Sequence, residues 1–118
     1  MIREATQEDT LALAELAIKL WSGHTILELK TLFLDLICSD NAVVFIKYVD
    51  NKAIGFAQCQ LRNDYVEGTD TSPVGYLEGI FVEEEYRHNG YAKELLSKCE
   101  NWAKERHRSE ERRVGKEC

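Results

Sequence analysis

Apolar residues recur along this chain with two different periods, and the period changes near residue 42. Before that point they fall three and four residues apart, behind capping sequences that begin at Thr6 and Thr25. The two stripes are Leu13, Leu16, Ala17, Leu20 and Trp21, and then Leu29, Leu32, Phe33, Leu36 and Ile37. Residues 2–5 alternate apolar and polar. The first part therefore predicts a strand followed by two helices.

The middle of the chain is typical of consecutive strands. Residues 42–48 are β-branched and aromatic, Asp50-Asn51 is a turn sequence, and residues 53–62 resume the strand pattern. Residues 64–73 are polar and predict a loop, and residues 76–82 predict a further strand. A helical face follows, formed by Ala92, Leu95, Leu96, Cys99, Trp102 and Ala103. The order β-α-α-β-β-β-α predicts an α+β fold with a mixed, mostly antiparallel sheet and flanking helices.

The last eleven residues differ from the rest. Residues 108–118 have no apolar face and resemble the translation of a widely used sequencing adapter. We therefore expect one domain over residues 1–107 and a non-native tail over residues 108–118, with the chain truncated at its C-terminal end. A genuine charged helix end is the alternative.

Composition narrows the functional classes. The 118 residues are 44% hydrophobic and 31% charged, with a net charge of −6, which argues against nucleic-acid binding and permits a cationic ligand. No apolar run approaches the roughly 20 residues of a membrane span, and the N-terminus lacks a signal-peptide pattern, which predicts a cytoplasmic protein with no membrane partner. The cysteines have no metal-ligand or redox spacing, so we expect no metal and buried, apolar roles for Cys38, Cys59 and Cys99.

One short motif carries candidate chemistry. Arg87-His-Asn-Gly-Tyr-Ala92 lies between the last predicted strand and the last predicted helix. Free N–H groups at a helix start attract anions, Arg87 can pair with phosphate, and Gly90 leaves room for close approach. The motif favours a diphosphate site. An ordinary turn with a surface arginine is the alternative.

This part of the chain resembles the pyrophosphate loop of the GNAT superfamily of N-acetyltransferases. In both, a strand is followed by the pattern Arg-x-x-Gly-x-Ala, here Arg87 to Ala92, and then by a helix. Over residues 1–107 the chain resembles the aminoglycoside 6′-N-acetyltransferases more closely still. The stretches that carry this resemblance are Leu20-Trp21, residues 61–75, and Tyr76-Leu-Glu-Gly-Ile-Phe-Val82.

The resemblance implies direct acetyl transfer from acetyl-CoA to the 6′-amino group of an aminoglycoside. It implies that Trp21, Tyr65 and Glu78 line the substrate pocket and that Glu78 acts as general base, with a structural salt bridge as the alternative for Glu78. Gly79 would allow a strand bulge. The implied cofactor contacts are Ile80, Phe81 and Val82 for the pantetheine arm, and Arg87, His88, Asn89, Gly90, Tyr91 and Ala92 for the diphosphate.

Other expectations complete this interpretation. His24, His88 and His107 are expected to be surface or turn residues.

Full-length family members continue into a fifth strand, a helix and a hairpin, and are often homodimers. Without that region we expect an open edge on the strand over residues 76–82 and an inactive chain. A GNAT enzyme for another amine (a polyamine or a protein N-terminus) and a non-catalytic CoA-binding fragment are the alternatives.

Overall fold

A four-stranded sheet with helices on both faces organises the computed structural model, which describes residues 1–62 and 74–108. The strands are β1 (Ile2–Glu4), β2 (Ala42–Val49), β3 (Lys52–Arg62) and β4 (Val74–Val82). The helices are α1 (Thr10–Ala17), α2 (Ile26–Ile37) and α3 (Tyr91–Arg108), with short 3₁₀ turns at Gln7–Asp9 and Glu84–Tyr86. The predicted α+β class and element order are confirmed. The predicted loop at 64–73 and tail at 108–118 fall almost wholly outside the described residues.

The strands lie in the order β1-β2-β3-β4, and each described pairing is antiparallel. The parallel component of the predicted mixed sheet is therefore not seen in these residues. Asp50 and Asn51 join β2 to β3 with φ of 51° and 65°, the left-handed pair that a two-residue hairpin turn requires. In the described part of the chain β4 pairs only with β3, so it presents an open edge.

Each face of the sheet buries its own apolar cluster. Phe33 of α2 and Leu13 of α1 pack with Phe56 on one face. On the other, Leu95 and Trp102 of α3 pack with strand residues that include Val43, Phe45 and Ile54. Because β2 is covered on both sides, its sequence is continuously apolar rather than alternating.

Some predicted helix positions need correction. The stripe through Leu20 and Trp21 predicts a longer first helix, but α1 ends at Ala17 and tight turns follow, including Leu20 N–H to the Ala17 carbonyl at 2.9 Å. Leu20 is consequently 41% exposed, while Trp21 is half-buried. Three other positions of the predicted apolar stripes are also exposed: Leu32, Ala92 and Leu96. Each stripe is wider than the part of its helix that packs against the rest of the protein. The predicted burial is confirmed for Cys59 and Cys99, whereas Cys38 is only half-buried.

Asp9 joins the start of α1 to the sheet. Its carboxylate accepts two hydrogen bonds from Arg3 at 2.7 and 2.8 Å, one from the Thr6 N–H at 2.8 Å and one from the Tyr48 hydroxyl at 2.7 Å. Asp9 is only 3% exposed, and that burial alone would raise its pKa. The hydrogen bonds from Arg3, Thr6 and Tyr48 outweigh the burial and lower the pKa to about 2.

The predicted capping box at the start of α2 is confirmed. The Thr25 hydroxyl accepts from the Glu28 N–H at 3.1 Å, and the Glu28 carboxylate accepts from the Thr25 N–H at 2.8 Å. Two otherwise unpaired donors are thereby satisfied at a fully exposed helix end. The backbone hydrogen bond from Thr25 lowers the pKa of Glu28, because it stabilises the ionised carboxylate.

Candidate functional site

The register of the ladder between β3 and β4 skips one position of β4, Glu78. Gln58 pairs with Gly79 and the next residue, Cys59, pairs with Leu77, so β4 holds one extra residue at this point. The register shift forms a bulge next to Gly79, where the sequence permits one. A bulge bends its strand and re-aims side chains, and bulges are frequent beside active sites. Glu78 is half-buried at this bend.

Trp21 lies directly against the bulge. A β-carbon built on Gly79 would come within 2.8 Å of Trp21 Cζ2, so the indole touches the strand where only glycine leaves space. The other side of the indole packs on aromatic neighbours, with ring centroids 6.5 Å from Phe33 and 6.1 Å from Phe56. The structure therefore places Trp21 against Gly79, the residue that follows Glu78, although Trp21 and Glu78 lie 57 positions apart in the sequence.

The open edge of β4 continues beyond the bulge with outward-facing backbone groups. Glu83 donates its N–H to the Ile54 carbonyl at 2.8 Å, which makes this pair a hydrogen-bonded one. Bonded and non-bonded pairs alternate along an antiparallel ladder, so Ile80 and Val82 belong to non-bonded pairs. The N–H and C=O groups of these two residues accordingly point away from β3, toward the open edge.

The structure gives Phe81 and Arg87 contacts that the sequence does not indicate. Phe81 turns its backbone to β3 and its buried side chain to the core, so its backbone is not at the open edge. Arg87 donates Nε–H to the outward Val82 carbonyl at 2.8 Å, and its guanidinium lies 5.7 Å from the centre of the Phe81 ring. Arg87 thus holds the end of β4, and its two terminal amino groups remain for an anion.

The turn between β4 and α3 contains two left-handed residues. His88 has φ of 67° and Gly90 has φ of 79°. The Asn89 side chain donates to the Tyr86 carbonyl at 3.0 Å, which braces the turn between them. The side chain of His88 is exposed, in agreement with a turn residue, and the exposed His24 is a surface residue. The His107 side chain lies outside the described residues.

The first turn of α3 supplies free backbone donors. Its first helical hydrogen bond runs from the Glu94 N–H to the Gly90 carbonyl at 3.0 Å. The N–H groups of Tyr91, Ala92 and Lys93 precede that bond and have no helical acceptor, and the helix dipole makes this end attractive to negative charge. The predicted diphosphate motif therefore has the backbone geometry of an anion site.

Lys47 supports this helix start and was missed by the sequence reasoning. Its ammonium group lies 4.3 Å from the centre of the Tyr91 ring and 3.2 Å from the Glu94 carboxylate, although Lys47 is only 8% exposed. A cation over an aromatic face is stabilising, more so when partly desolvated. The available signal was a single lysine within the apolar run of β2.

The acidic run after β4 lies at the other side of the turn. Glu83 forms an ion pair with Lys19 at 2.6 Å, which ties the chain after α1 to the end of β4. Together with Phe81, Arg87 and the next two glutamates, this pair lines a cavity of about 380 Å³. Glu84 and Glu85 are exposed. Tyr65, which the resemblance assigns to the substrate pocket, lies outside the described residues.

Cys59 and Cys99 are not on the open edge of β4. Both are buried on the α3 face of the sheet, and Cys59 is followed by Gln60 within β3. Neither thiol is placed to accept an acyl group from a ligand that follows that edge. Within the described ranges there is no group of three or more His, Cys, Asp or Glu side chains arranged to hold a metal ion. The same ranges contain no helix that is both long and apolar enough to cross a membrane.

Comparison with protein families gives one match that covers most of the chain. Residues 10–114 match the model of the Acetyltransferase (GNAT) family. An aminoglycoside N(6')-acetyltransferase type 1 from Stenotrophomonas maltophilia is 36% identical over 104 residues. That alignment covers 88% of this chain and 67% of the relative, so the chain spans about two thirds of the relative's length.

Solved structures agree with the sequence comparison. The apo aminoglycoside 6'-N-acetyltransferase AAC(6')-IG from Acinetobacter haemolyticus superposes with a TM-score of 0.80 at 35% identity, over 89% of this chain and 72% of that one. AAC(6')-Iy in complex with the bisubstrate analogue CoA-S-monomethyl-acetylneamine superposes with a TM-score of 0.81 at 35% identity, over 90% and 72% of the two chains.

Proposed function

Because this chain belongs to the acetyltransferase (GNAT) family, we propose that it uses acetyl-CoA to acetylate the 6′-amino group of an aminoglycoside. The observation that carries the proposal is the position of Glu78. It lies at the bulge of β4 next to Gly79, against which Trp21 packs, and the outward backbone of Ile80 and Val82 follows along the same strand. A carboxylate at that point can reach an amine bound at the indole and a thioester bound along the edge.

The donor would bind along β4 and across the start of α3. An extended amide chain such as pantetheine can pair with the outward groups of Ile80 and the Val82 N–H as an additional strand does. Its diphosphate would reach the unpaired N–H groups of Tyr91, Ala92 and Lys93 and the terminal amino groups of Arg87. The Val82 carbonyl is already bonded to Arg87, so it contributes to the edge and not to the donor.

The acceptor would bind at Trp21 and Glu78. An aminoglycoside carries several ammonium groups, for which an aromatic face and a carboxylate are suitable partners. Trp21 is fixed by its packing on Phe33 and Phe56, so its exposed part is a rigid wall. Tyr65 is proposed as a second aromatic wall on the strength of the sequence resemblance alone.

In the proposed reaction Glu78 removes a proton from the acceptor ammonium, directly or through one water, because only the neutral amine has the lone pair that attacks the thioester carbonyl. An outward N–H of Ile80 or Val82 donates to the carbonyl oxygen as negative charge develops there. The C–S bond then breaks, the thiolate of CoA leaves, and the proton lost from the acetylated nitrogen passes to that thiolate or to water. Most of the remaining rate enhancement would come from holding amine and thioester in contact.

We propose in addition that the 118-residue chain has little activity by itself. In the described residues the donor edge of β4 has no covering strand, so water competes for every outward backbone group. About a third of the Stenotrophomonas maltophilia relative has no counterpart in its alignment with this chain. The proposed function is therefore best tested in a protein that joins the proposed donor and acceptor sites of this chain to the C-terminal part of a relative.

The test uses a chimera in which residues 1–107 continue into the C-terminal third of the Stenotrophomonas maltophilia relative. Thiol release from acetyl-CoA is measured with kanamycin, with spermidine and with a peptide amine, and the product is mapped by mass spectrometry. We expect kanamycin-dependent turnover at the 6′-amine. We also expect Glu78→Gln to lower kcat by about 10²- to 10⁴-fold with CoA binding retained.

The matched control is Glu84→Gln, an exposed carboxylate after the same strand, which should leave kcat unchanged. Turnover with spermidine or peptide but not kanamycin would reject the aminoglycoside. Full activity of Glu78→Gln would reject the general base. CoA binding with no transfer to any amine would support a non-catalytic CoA-binding domain, and robust turnover by the unfused 118-residue chain would refute its proposed inactivity.

A further inference from the structure

Two buried thiols lie between β3 and α3, in the apolar cluster on the α3 face of the sheet, whereas Trp21 packs against the cluster on the other face. Cys59 is 3% exposed and Cys99 is 2% exposed, and both are free thiols in the same apolar cluster. The two cysteines lie 40 positions apart in the sequence. The proposed reaction assigns no role to either, since neither reaches the open edge of β4.

The two sulfur atoms interact directly and unequally. The Cys99 thiol donates a hydrogen bond to the Cys59 sulfur, and the backbone N–H of Gln60 donates to the same sulfur. These bonds lower the pKa of the Cys59 thiol against the opposing effects of burial and the Glu78 charge. Donating that bond raises the pKa of Cys99. Cys59 is therefore the nucleophilic member of the pair, because the thiolate is the reactive form.

A cavity leads to this pair from the surface. Its volume is about 340 Å³, many times that of a water molecule, and both cysteines line it. Two of its walls are leucines with considerable exposure, Leu77 at 42% and Leu96 at 38%. The remaining lining residues are Glu100, Ala103 and Lys104. A small oxidant can therefore approach the sulfurs without unfolding of the sheet.

We propose that Cys59 and Cys99 are an oxidation site for hydrogen peroxide, at which they form an intramolecular disulfide. The Cys59 thiolate attacks one peroxide oxygen, the O–O bond breaks, and the departing hydroxide takes up a proton to leave as water. The Cys99 sulfur then attacks the sulfenic acid on Cys59, and the S–O bond breaks. The second hydroxide leaves as water with the Cys99 proton, so one peroxide and two thiols give one disulfide and two waters.

The product would cross-link the sheet to α3, the helix that covers this face in the part of the chain that the structure describes. Cys99 lies two turns after the start of α3, so the bond would fix the helix whose first turn carries the proposed diphosphate donors. A disulfide that closes the loop between Cys59 and Cys99 stabilises the protein mainly by restricting the unfolded chain. We expect the oxidised protein to unfold at a temperature at least about 5 °C higher than the reduced protein.

The experiment uses the 118-residue chain with Cys38→Ser and Cys118→Ser, so that only the two cysteines in question remain. The reduced protein is treated with hydrogen peroxide at low protein concentration and analysed by intact mass and by non-reducing peptide mapping. We expect a mass loss of about 2 Da, one peptide pair linked through Cys59 and Cys99, and full reversal by dithiothreitol. Parallel treatment in urea provides the rate for thiols that are not held together.

Single variants test the order of the steps. Cys99→Ser should stop at a sulfenic acid on Cys59 that dimedone traps, whereas Cys59→Ser should leave Cys99 largely unreacted. Absence of the 2 Da loss, oxidation no faster in folded than in unfolded protein, or disulfides formed only between molecules would each overturn the proposal. The intact-mass result on the two-cysteine protein decides the question even if one serine variant does not fold.

Discussion

The Asp9 cluster predicts a specific loss of stability in acid. Asp9 accepts hydrogen bonds from Arg3, Thr6 and Tyr48 while it is 3% exposed, and its pKa falls from 3.8 to about 2. A carboxyl with a lowered folded-state pKa stabilises the fold fully above its unfolded-state pKa. That stabilisation is lost as the pH falls from about 4 toward 2. The shift corresponds to about 2.5 kcal/mol, of which about 2 kcal/mol should disappear between pH 6 and pH 2.

The assay compares the chain with its Asp9→Asn variant by urea unfolding, followed by far-UV circular dichroism, at pH 6, 4, 3 and 2. Other carboxyl groups titrate in both proteins, so the difference between the two free energies of unfolding isolates Asp9. We expect a gap of at least about 2 kcal/mol at pH 6 that narrows by about 2 kcal/mol at pH 2. Asp35→Asn, an exposed change on α2, should show almost no gap at any pH. A gap for Asp9→Asn that is equal at pH 6 and pH 2 would refute the reasoning.

Three further substitutions test local features. Gly79→Ala should lower the free energy of unfolding by about 1–3 kcal/mol and shift the tryptophan emission, because the new β-carbon would meet Trp21 at 2.8 Å. Gly23→Ala is the control: a β-carbon there has no atom within 4 Å, so the emission should not change. His88→Gly should stabilise by about 0.5–1 kcal/mol because φ is 67° there, and thermal unfolding that shows a loss would contradict the strain. Thr25→Ala should cost about 1 kcal/mol in urea unfolding without changing CoA binding, as expected for the lost cap.

The strands and their order could be predicted because their causes are local. The β-branched run of β2 and the Asp50-Asn51 turn determine a hairpin without reference to the rest of the chain. The end of α1 could not be predicted in this way. Leu20 and Trp21 continue the helical spacing, but spacing states only which side chains would share a face if the helix continued. The chain leaves the helix after Ala17, and the packing of Trp21 on Phe56 of β3 depends on tertiary structure.

The candidate site was predictable as a set of residues more than as a geometry. The sequence identifies Glu78 and the motif from Arg87 to Ala92, but the bulge depends on how β3 and β4 pair. It does not reveal that Arg87 holds the Val82 carbonyl, because that contact requires the strand end and the turn to be folded together. The left-handed conformation of His88 is also absent from the sequence signal, since histidine adopts it more often than most residues do but still only in a minority of cases.

The bulge has a consequence for how this site can change in evolution. Every other residue of β4 has a partner across the ladder, so replacing it disturbs a pair. The register skips Glu78, so the pairs on either side of it would form a continuous ladder if this one codon were deleted. The bend and the proposed base thus arise from a single inserted residue. Lineages can exchange the chemistry at this position, or lose it, while keeping the sheet intact.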